Sequence, residues 1–188
     1  IGTFLLAVIF SIQLSAQIVS LQPSNAGFDD EVILLFDATQ GNAELLGASK
    51  VYLHHGVVID SLTGTDWNYV IGDWGQDNGV GEMARVGGEN NLWEINFSPS
   101  LREYFKVPDS ENIYRISAVF RSADGNTKAT ITPGTYGWGD ITSNGDFYIN
   151  LNVSDFVTIT QPFQSETFLS EGETIEINAV ASSEVSSM

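Results

Sequence analysis

The chain has 188 residues, of which 24 are Asp or Glu and 7 are Lys or Arg, giving a formal net charge of −17. A polyanion is bound by clustered basic residues that displace its counterions, and no two basic residues are adjacent here, so nucleic acids and anionic membranes are poor partners. Cysteine is absent, which excludes structural disulfides and a lipid anchor on a Cys side chain. The acidity itself is typical of an extracellular protein that must stay in solution.

Residues 1–14, IGTFLLAVIFSIQL, are apolar and uncharged, and the small residues Ser15 and Ala16 follow them. A run of this length that ends in small residues is typical of a secretory signal and is too short to cross a bilayer. We predict a signal peptide over residues 1–17, with its basic start missing, and a secreted chain that is extracellular or periplasmic. A buried strand or helix is the alternative, but nothing amphipathic follows before Glu31.

Removing this signal leaves about 170 residues, enough for one domain with a core and a further fragment. Short β-branched and apolar runs recur along them, separated by Gly, Asn and Asp. The predicted strands are 32–37, 50–58, 81–86, 92–97, 113–121 and 147–153. One short helix is predicted at 98–105, with Ser98 as its cap and Pro99 at the first helical position. The pattern predicts an all-β protein with an antiparallel, immunoglobulin-like β-sandwich over residues 30–153.

A second unit is predicted over residues 155–188. Residues 157–162 and 173–179 alternate apolar and polar positions and flank a turn at Glu171 and Gly172. This pattern resembles the opening of bacterial immunoglobulin-like domains, which need roughly 100 residues. We therefore expect an incomplete second sandwich here, with more of the protein downstream.

Two Gly-rich segments carry aromatic side chains among polar ones. The segment 67–81, WNYVIGDWGQDNGVG, contains Trp67 and Trp74, and the segment 136–140, YGWGD, contains Trp138. Flat rings beside amides and carboxylates suit a sugar, because the ring stacks on the C–H face while polar groups bond the hydroxyls. The alternative is that individual Trp side chains close the ends of the sandwich as part of its core.

The order of these motifs resembles a known family. VYLHHG, the Trp-bearing loop, Gly81-Glu82-Met83, a strand with Trp93, AVFRSADG and GDFYINL together resemble starch-binding-type β-sandwich modules of secreted amylases and related glycoside hydrolases. The order is also similar to the N-terminal module of secreted multidomain proteins of Bacteroidetes, some of them α-amylase-like. The resemblance covers residues 31–153 and implies an α-glucan partner. The sugar-contacting residues that it implies are His54, His55, Trp67, Trp74, Trp138 and Asp140.

The sequence supports metal binding and catalysis less well than sugar binding. His54 and His55 are neighbours in a predicted strand, so their side chains point to opposite faces and form a poor metal chelate. No cofactor is predicted, although Asp73, Asp77 and Asn78 leave room for a surface calcium ion. Serine-hydrolase, zinc-protease and phosphate-loop motifs are absent from the sequence.

We therefore predict a non-catalytic, α-glucan-binding module of a secreted multidomain protein, whose full-length parent is a glycoside hydrolase of α-amylase type. The first alternative is a structural or adhesive cell-surface spacer whose aromatic residues are core. The second is a small secreted hydrolase that uses a carboxylate pair such as Asp66 and Asp73.

Overall fold

The computed structural model describes residues 17–152 and the backbone of residues 157–161 and 178–181. Its strands in chain order are β1 (Val19–Gln22), β2 (Val32–Asp37), β3 (Tyr52–Val58), β4 (Asn68–Ile71), β5 (Ala84–Arg85), β6 (Leu92–Phe97), β7 (Arg115–Arg121), β8 (Gly134–Tyr136), β9 (Gly139–Ile141), β10 (Phe147–Asn150), β11 (Val157–Gln161) and β12 (Asn178–Ala181). The helix α1 (Leu101–Phe105) lies between β6 and β7. Among the described residues, no helix has the length and apolar character needed to span a membrane.

The strands up to β10 form two antiparallel sheets. The four-stranded sheet has the order β1-β2-β6-β5, and the six-stranded sheet has the order β4-β3-β7-β10-β9-β8. Every strand pair in both sheets is antiparallel. The predicted all-β, antiparallel two-sheet architecture is confirmed.

The two sheets share one apolar core. Val32, Leu34 and Phe36 alternate with partly exposed residues along β2 and are fully buried. The ring of Phe36 stacks on the ring of Phe120 in β7 at a centroid distance of 4.2 Å, which joins the two sheets directly. Burying one such side chain stabilises the fold by about 1.5–3 kcal/mol.

The helix begins two residues later than the sequence pattern predicted. Its N-cap is Ser100, whose Oγ accepts a hydrogen bond from Glu103 N at 3.2 Å, so Ser98 does not cap it. It ends at Lys106, which has a left-handed backbone with φ 58°. The short helix places Tyr104 and Phe105 against the core.

Four strands were missed because they are short and have no extended apolar run. β1 directly follows the apolar N-terminal segment, β4 lies inside the Trp-bearing segment 67–81, and β8 and β9 fall within a Gly-rich stretch. Because β1 pairs with β2, the first sheet begins at Val19, before the predicted domain boundary at residue 30.

The end of the chain contributes a separate strand pair. β11 and β12 pair with each other, and in the described part of the chain neither joins the two larger sheets. The predicted turn at Glu171 and Gly172 lies outside the described residues, and so does the predicted signal peptide over residues 1–17, except for Gln17. The second, incomplete sandwich therefore stays a prediction.

Candidate functional site

The site is built on the outer face of the six-stranded sheet. Along β3, Leu53 and His55 point into the core, while Tyr52 and His54 point outward because successive side chains alternate. In β10, the outward-facing Tyr148 is only 3% exposed. The outer face of this sheet is therefore covered by a further layer, and that layer is the connection between β3 and β5.

Trp67 is one anchor of this connection on the sheet. Its indole Nε1 donates a hydrogen bond to the Tyr148 hydroxyl at 2.9 Å, and that hydroxyl donates to the Thr65 carbonyl at 3.0 Å. The Trp67 and Tyr148 rings meet edge to face at 6.4 Å. Since its polar atom and one ring edge are both engaged, Trp67 is chiefly a packed side chain that fixes the chain just before β4.

His54 lies between two indole rings. Its imidazole stacks on Trp67 at a centroid distance of 5.8 Å and meets Trp74 edge-on at 5.7 Å. Burial lowers the pKa of His54, so the ring is neutral near pH 7. The buried Nδ1 atom has no hydrogen-bond partner among the described residues. The sequence-predicted residues His54, Trp67 and Trp74 thus form one cluster, which we call the indole cluster.

Trp74 is the exposed member of the indole cluster, with 50% of its surface accessible. The guanidinium carbon of Arg121 lies 5.9 Å from its ring centroid and 4.8 Å from that of Tyr52. A cation over a ring face is attracted by the electron density of that face. Trp74 is therefore supported from the sheet side and keeps a large accessible surface toward solvent.

Arg121 is fully buried and ties the loop that carries Trp74 to the sheet. Its NH2 group donates to the carbonyl oxygens of Asp73 and Gln76 at 2.7 and 3.2 Å. Its NH1 group donates to the carbonyl oxygens of Ser122 and Ala123 at 2.8 and 2.9 Å. One guanidinium thus joins two loops, which is how the strand end at Arg121 sets the position of Trp74.

A charged cluster holds the far end of the same loop. Lys50 Nζ lies 2.7 Å from Asp77 Oδ1, and the buried Tyr52 hydroxyl bonds to both Asp77 and Glu82, the latter at 2.8 Å. Burial, followed by the hydrogen bonds to these two carboxylates, raises the pKa of Tyr52 to about 12. The hydrogen bond from Lys50 lowers the pKa of Asp77, which stays ionised.

Asp140 lies on the same face of the sheet but is engaged by Arg115. Arg115 is 2% exposed, its NH2 group pairs with Asp140, and its Nε donates to Asn150 Oδ1 at 2.9 Å. Burial acts to raise the pKa of Asp140, but hydrogen bonds from Thr135 and Arg115 outweigh it, so the pKa is lowered. This carboxylate is therefore an ionised partner of a buried arginine.

Two predicted site residues lie elsewhere. His55 is fully buried between the sheets and packs against Phe97 and Phe105, so it cannot contact a ligand at this surface. Trp138 stacks on Tyr136 at 5.3 Å and on the inward-facing Phe147 at 5.6 Å. Because Phe147 and Tyr148 point to opposite sides of β10, Trp138 and the indole cluster lie on opposite faces of the sheet. The Trp-bearing segments 67–81 and 136–140 therefore do not form one joint site.

The segment around Asp73 offers little to a calcium ion in this arrangement. Asp77 is engaged by Lys50, Asp73 accepts a hydrogen bond from Asn78 at 2.7 Å, and Arg121 occupies two nearby carbonyl oxygens. Within residues 17–152, no three His, Asp or Glu side chains are grouped in a way that would hold a metal ion.

The two sheets and the covered outer face define an all-β module with a partly exposed aromatic surface. A family model described as "Domain of unknown function (DUF8578)" matches residues 19–129, more than half of the chain, and the chain belongs to this family. No curated protein matches the chain. The matched segment runs from β1 to the residues before β8, so it contains the indole cluster and Arg121 but neither Trp138 nor Asp140.

Proposed function

We propose that this chain is a secreted, non-catalytic module that binds a neutral polysaccharide of the α-glucan type through the indole cluster. The observation that carries the proposal is the 50% exposure of Trp74 on a loop that the buried side chains of Arg121 and Tyr52 hold in place. Single exposed apolar side chains are common on protein surfaces, but a flat indole ring that is held in place offers a platform on which a sugar ring can stack. A ring held in place before binding also loses little freedom when a ligand stacks on it.

The neighbours of Trp74 suit a sugar. Asp73 and Asn78 are exposed on the same loop, and their side chains bond each other at 2.7 Å. An amide donates hydrogen bonds to sugar hydroxyls and accepts them, a carboxylate accepts them, and the indole face packs against the C–H side of the sugar ring. Such an open surface covers little of the ligand, so we expect dissociation constants on the order of 10 µM to 1 mM.

The engaged carboxylates support binding over cleavage. A glycosidase needs one carboxyl group as general acid and a second as base or nucleophile. On this face Asp77 is paired with Lys50, Asp140 is paired with Arg115, and the pKa of each is lowered. A lowered pKa is the opposite of what a general acid requires.

One observation favours the alternative, a structural or adhesive spacer. Trp93 is 2% exposed, Trp67 stacks on His54, and Trp138 stacks on Phe147. Three of the 4 Trp side chains therefore contribute to packing. The exposure of Trp74 is the observation that favours a binding module over a spacer.

Affinity electrophoresis in gels that contain soluble starch, glycogen or pullulan tests the proposal. The wild-type chain should migrate more slowly in at least one of these gels than in a gel without polysaccharide. The Trp74→Ala variant should migrate at the same rate in gels with and without polysaccharide. A wild-type chain that is not retarded by any α-glucan would favour the spacer.

A further inference from the structure

A second surface lies on the opposite side of the six-stranded sheet, where β1 faces the hairpin of β8 and β9. Three adjoining hollows of about 200, 320 and 400 Å³ follow this edge of the sandwich. The first two share Gln17, Gly137 and Trp138, and the second and third share Gly41 and Ile131. They are therefore parts of one continuous depression, which we call the edge groove.

The lining of the edge groove is unusual for so acidic a protein. Among the described residues that line it, none is Asp, Glu, Lys, Arg or His, although the whole chain has a formal charge of −17. Its polar groups are amides and hydroxyls, including Gln17, Gln40 and Asn42. A charged ligand would find no counter-ion here and would lose its hydration without compensation. A ligand rich in hydroxyls would find donors and acceptors.

The groove's polar and aromatic groups are held in position. Asn42 Nδ2 donates to the Lys128 carbonyl at 3.1 Å, and its Oδ1 accepts from Thr130 N at 3.1 Å. The planes of Tyr136 and Trp138 are parallel within 2°, and the Tyr136 hydroxyl donates to the Thr132 carbonyl at 2.6 Å. A site whose groups are fixed before binding loses less conformational freedom when the ligand arrives.

We propose that the edge groove binds a chain of a neutral oligosaccharide, separately from the indole cluster. Three adjoining hollows suit several linked rings better than a single sugar, and the two larger ones fall in the size range of small-molecule sites, about 300–1,000 Å³. The inference extends the proposed glycan-binding function to a second surface. Because the two surfaces lie on opposite faces of one sheet, each can be tested without the other.

Gly137 provides a variant that blocks the groove without straining the fold. A Cβ atom added at Gly137 would meet no atom within 4 Å, and its backbone is not in the left-handed region. Gly137→Gln should fill the groove where the first two hollows meet, while Gly137→Ala, the matched control, should leave it open. Both variants should melt at the wild-type temperature.

The indole N–H resonances of the 4 Trp side chains report on the two surfaces separately once single Trp→Phe variants have assigned them. We expect neutral gluco-, xylo- or manno-oligosaccharides to shift the Trp138 resonance in a saturable way, and oligogalacturonate to leave it in place. Gly137→Gln should weaken this effect by at least about tenfold, and Gly137→Ala should preserve it.

A Trp138 resonance that no neutral oligosaccharide moves, that oligogalacturonate moves equally, or that responds equally in Gly137→Gln would overturn the edge-groove proposal. The Trp74 resonance tests independently whether the indole cluster binds an oligosaccharide. A response at Trp138 alone supports the groove and contradicts the indole cluster, and a response at Trp74 alone does the reverse.

Discussion

Nε2 of the fully buried His55 lies 3.0 Å from the hydroxyl of the half-buried Tyr104. On the other side of the ring, Nδ1 lies 2.9 Å from the Leu53 carbonyl, which can only accept a hydrogen bond. Nδ1 therefore carries the proton, and Nε2 accepts from Tyr104. Both bonds are satisfied by the neutral ring. Burial accordingly lowers the pKa of His55 to about 4.

This lowered pKa predicts that the fold loses stability as the pH falls from 6.5 to 4. In that range the unfolded His55, with its ordinary pKa of 6.5, binds a proton that the folded chain excludes. Stability is therefore complete above pH 6.5 and decreases by about 3 kcal/mol in the free energy of unfolding toward pH 4. Urea denaturation at a series of pH values measures this change.

His55→Gln supplies the control because glutamine does not titrate in this range. The variant should be less stable than wild type at pH 7 but should lose much less stability on acidification. A smaller loss should persist, since burial also lowers the pKa of His54. An unchanged pH dependence in His55→Gln would contradict the assignment of the acid sensitivity to this ring.

Arg121 should be among the most sensitive positions of the site. Arg121→Met removes the donors to four carbonyl oxygens in two loops, so we expect a loss of at least about 2 kcal/mol in the free energy of unfolding. Arg121→Lys should restore only part of it, because a single ammonium cannot span the same acceptors. Urea denaturation checks both values, and wild-type stability in Arg121→Met would contradict the anchoring role.

Alanine substitutions at Gly81 and Gly79 test how closely the loop that carries Trp74 approaches β3. Both have a positive φ, 78° and 83°, so alanine at either position costs about 1 kcal/mol in backbone strain. Only at Gly81 would the added Cβ approach a backbone atom too closely, at 2.2 Å from the Leu53 carbonyl oxygen. Gly81→Ala should therefore lower the thermal midpoint clearly more than Gly79→Ala. Equal midpoints would contradict the close contact between the loop and β3.

The sequence was informative where burial follows strand alternation. It predicted β2, β6 and the central part of β3, because β-branched and apolar residues fill them, and it predicted opposite faces for His54 and His55. It also singled out His54, Trp67 and Trp74, which the fold brings together. Adjacent side chains in a strand must diverge, so this much follows from local geometry.

The sequence was less informative where one layer covers another. Alternation along β7 places Arg115 and Arg121 on the outward face of the strand, where exposure to water would be expected. Both are buried, because the connection from β3 to β5 crosses that face. The separation of Trp138 from Trp74 likewise depends on which side of β10 each loop reaches. Both facts follow from long-range packing, which periodicity along a single strand does not contain.

Trp67→Ala and Trp74→Ala should differ in their effect on folding. Trp67 bonds Tyr148 and stacks on His54, so its truncation should cost about 3–5 kcal/mol. Trp74 is half exposed, and its truncation should cost about 1 kcal/mol or less. Thermal or urea unfolding of the two variants measures the difference, and equal losses would contradict the distinct roles of the two rings.

The central claim is that the exposed ring of Trp74 binds an α-glucan, and retardation in starch gels tests it most directly. Leu46→Ala is the matched control, since Leu46 is 55% exposed but lies outside the indole cluster. We predict that wild type and Leu46→Ala are retarded equally, and that Trp74→Ala migrates as if no starch were present while keeping a near-wild-type melting temperature. Equal retardation of Trp74→Ala and wild type, with both folded, would contradict the account.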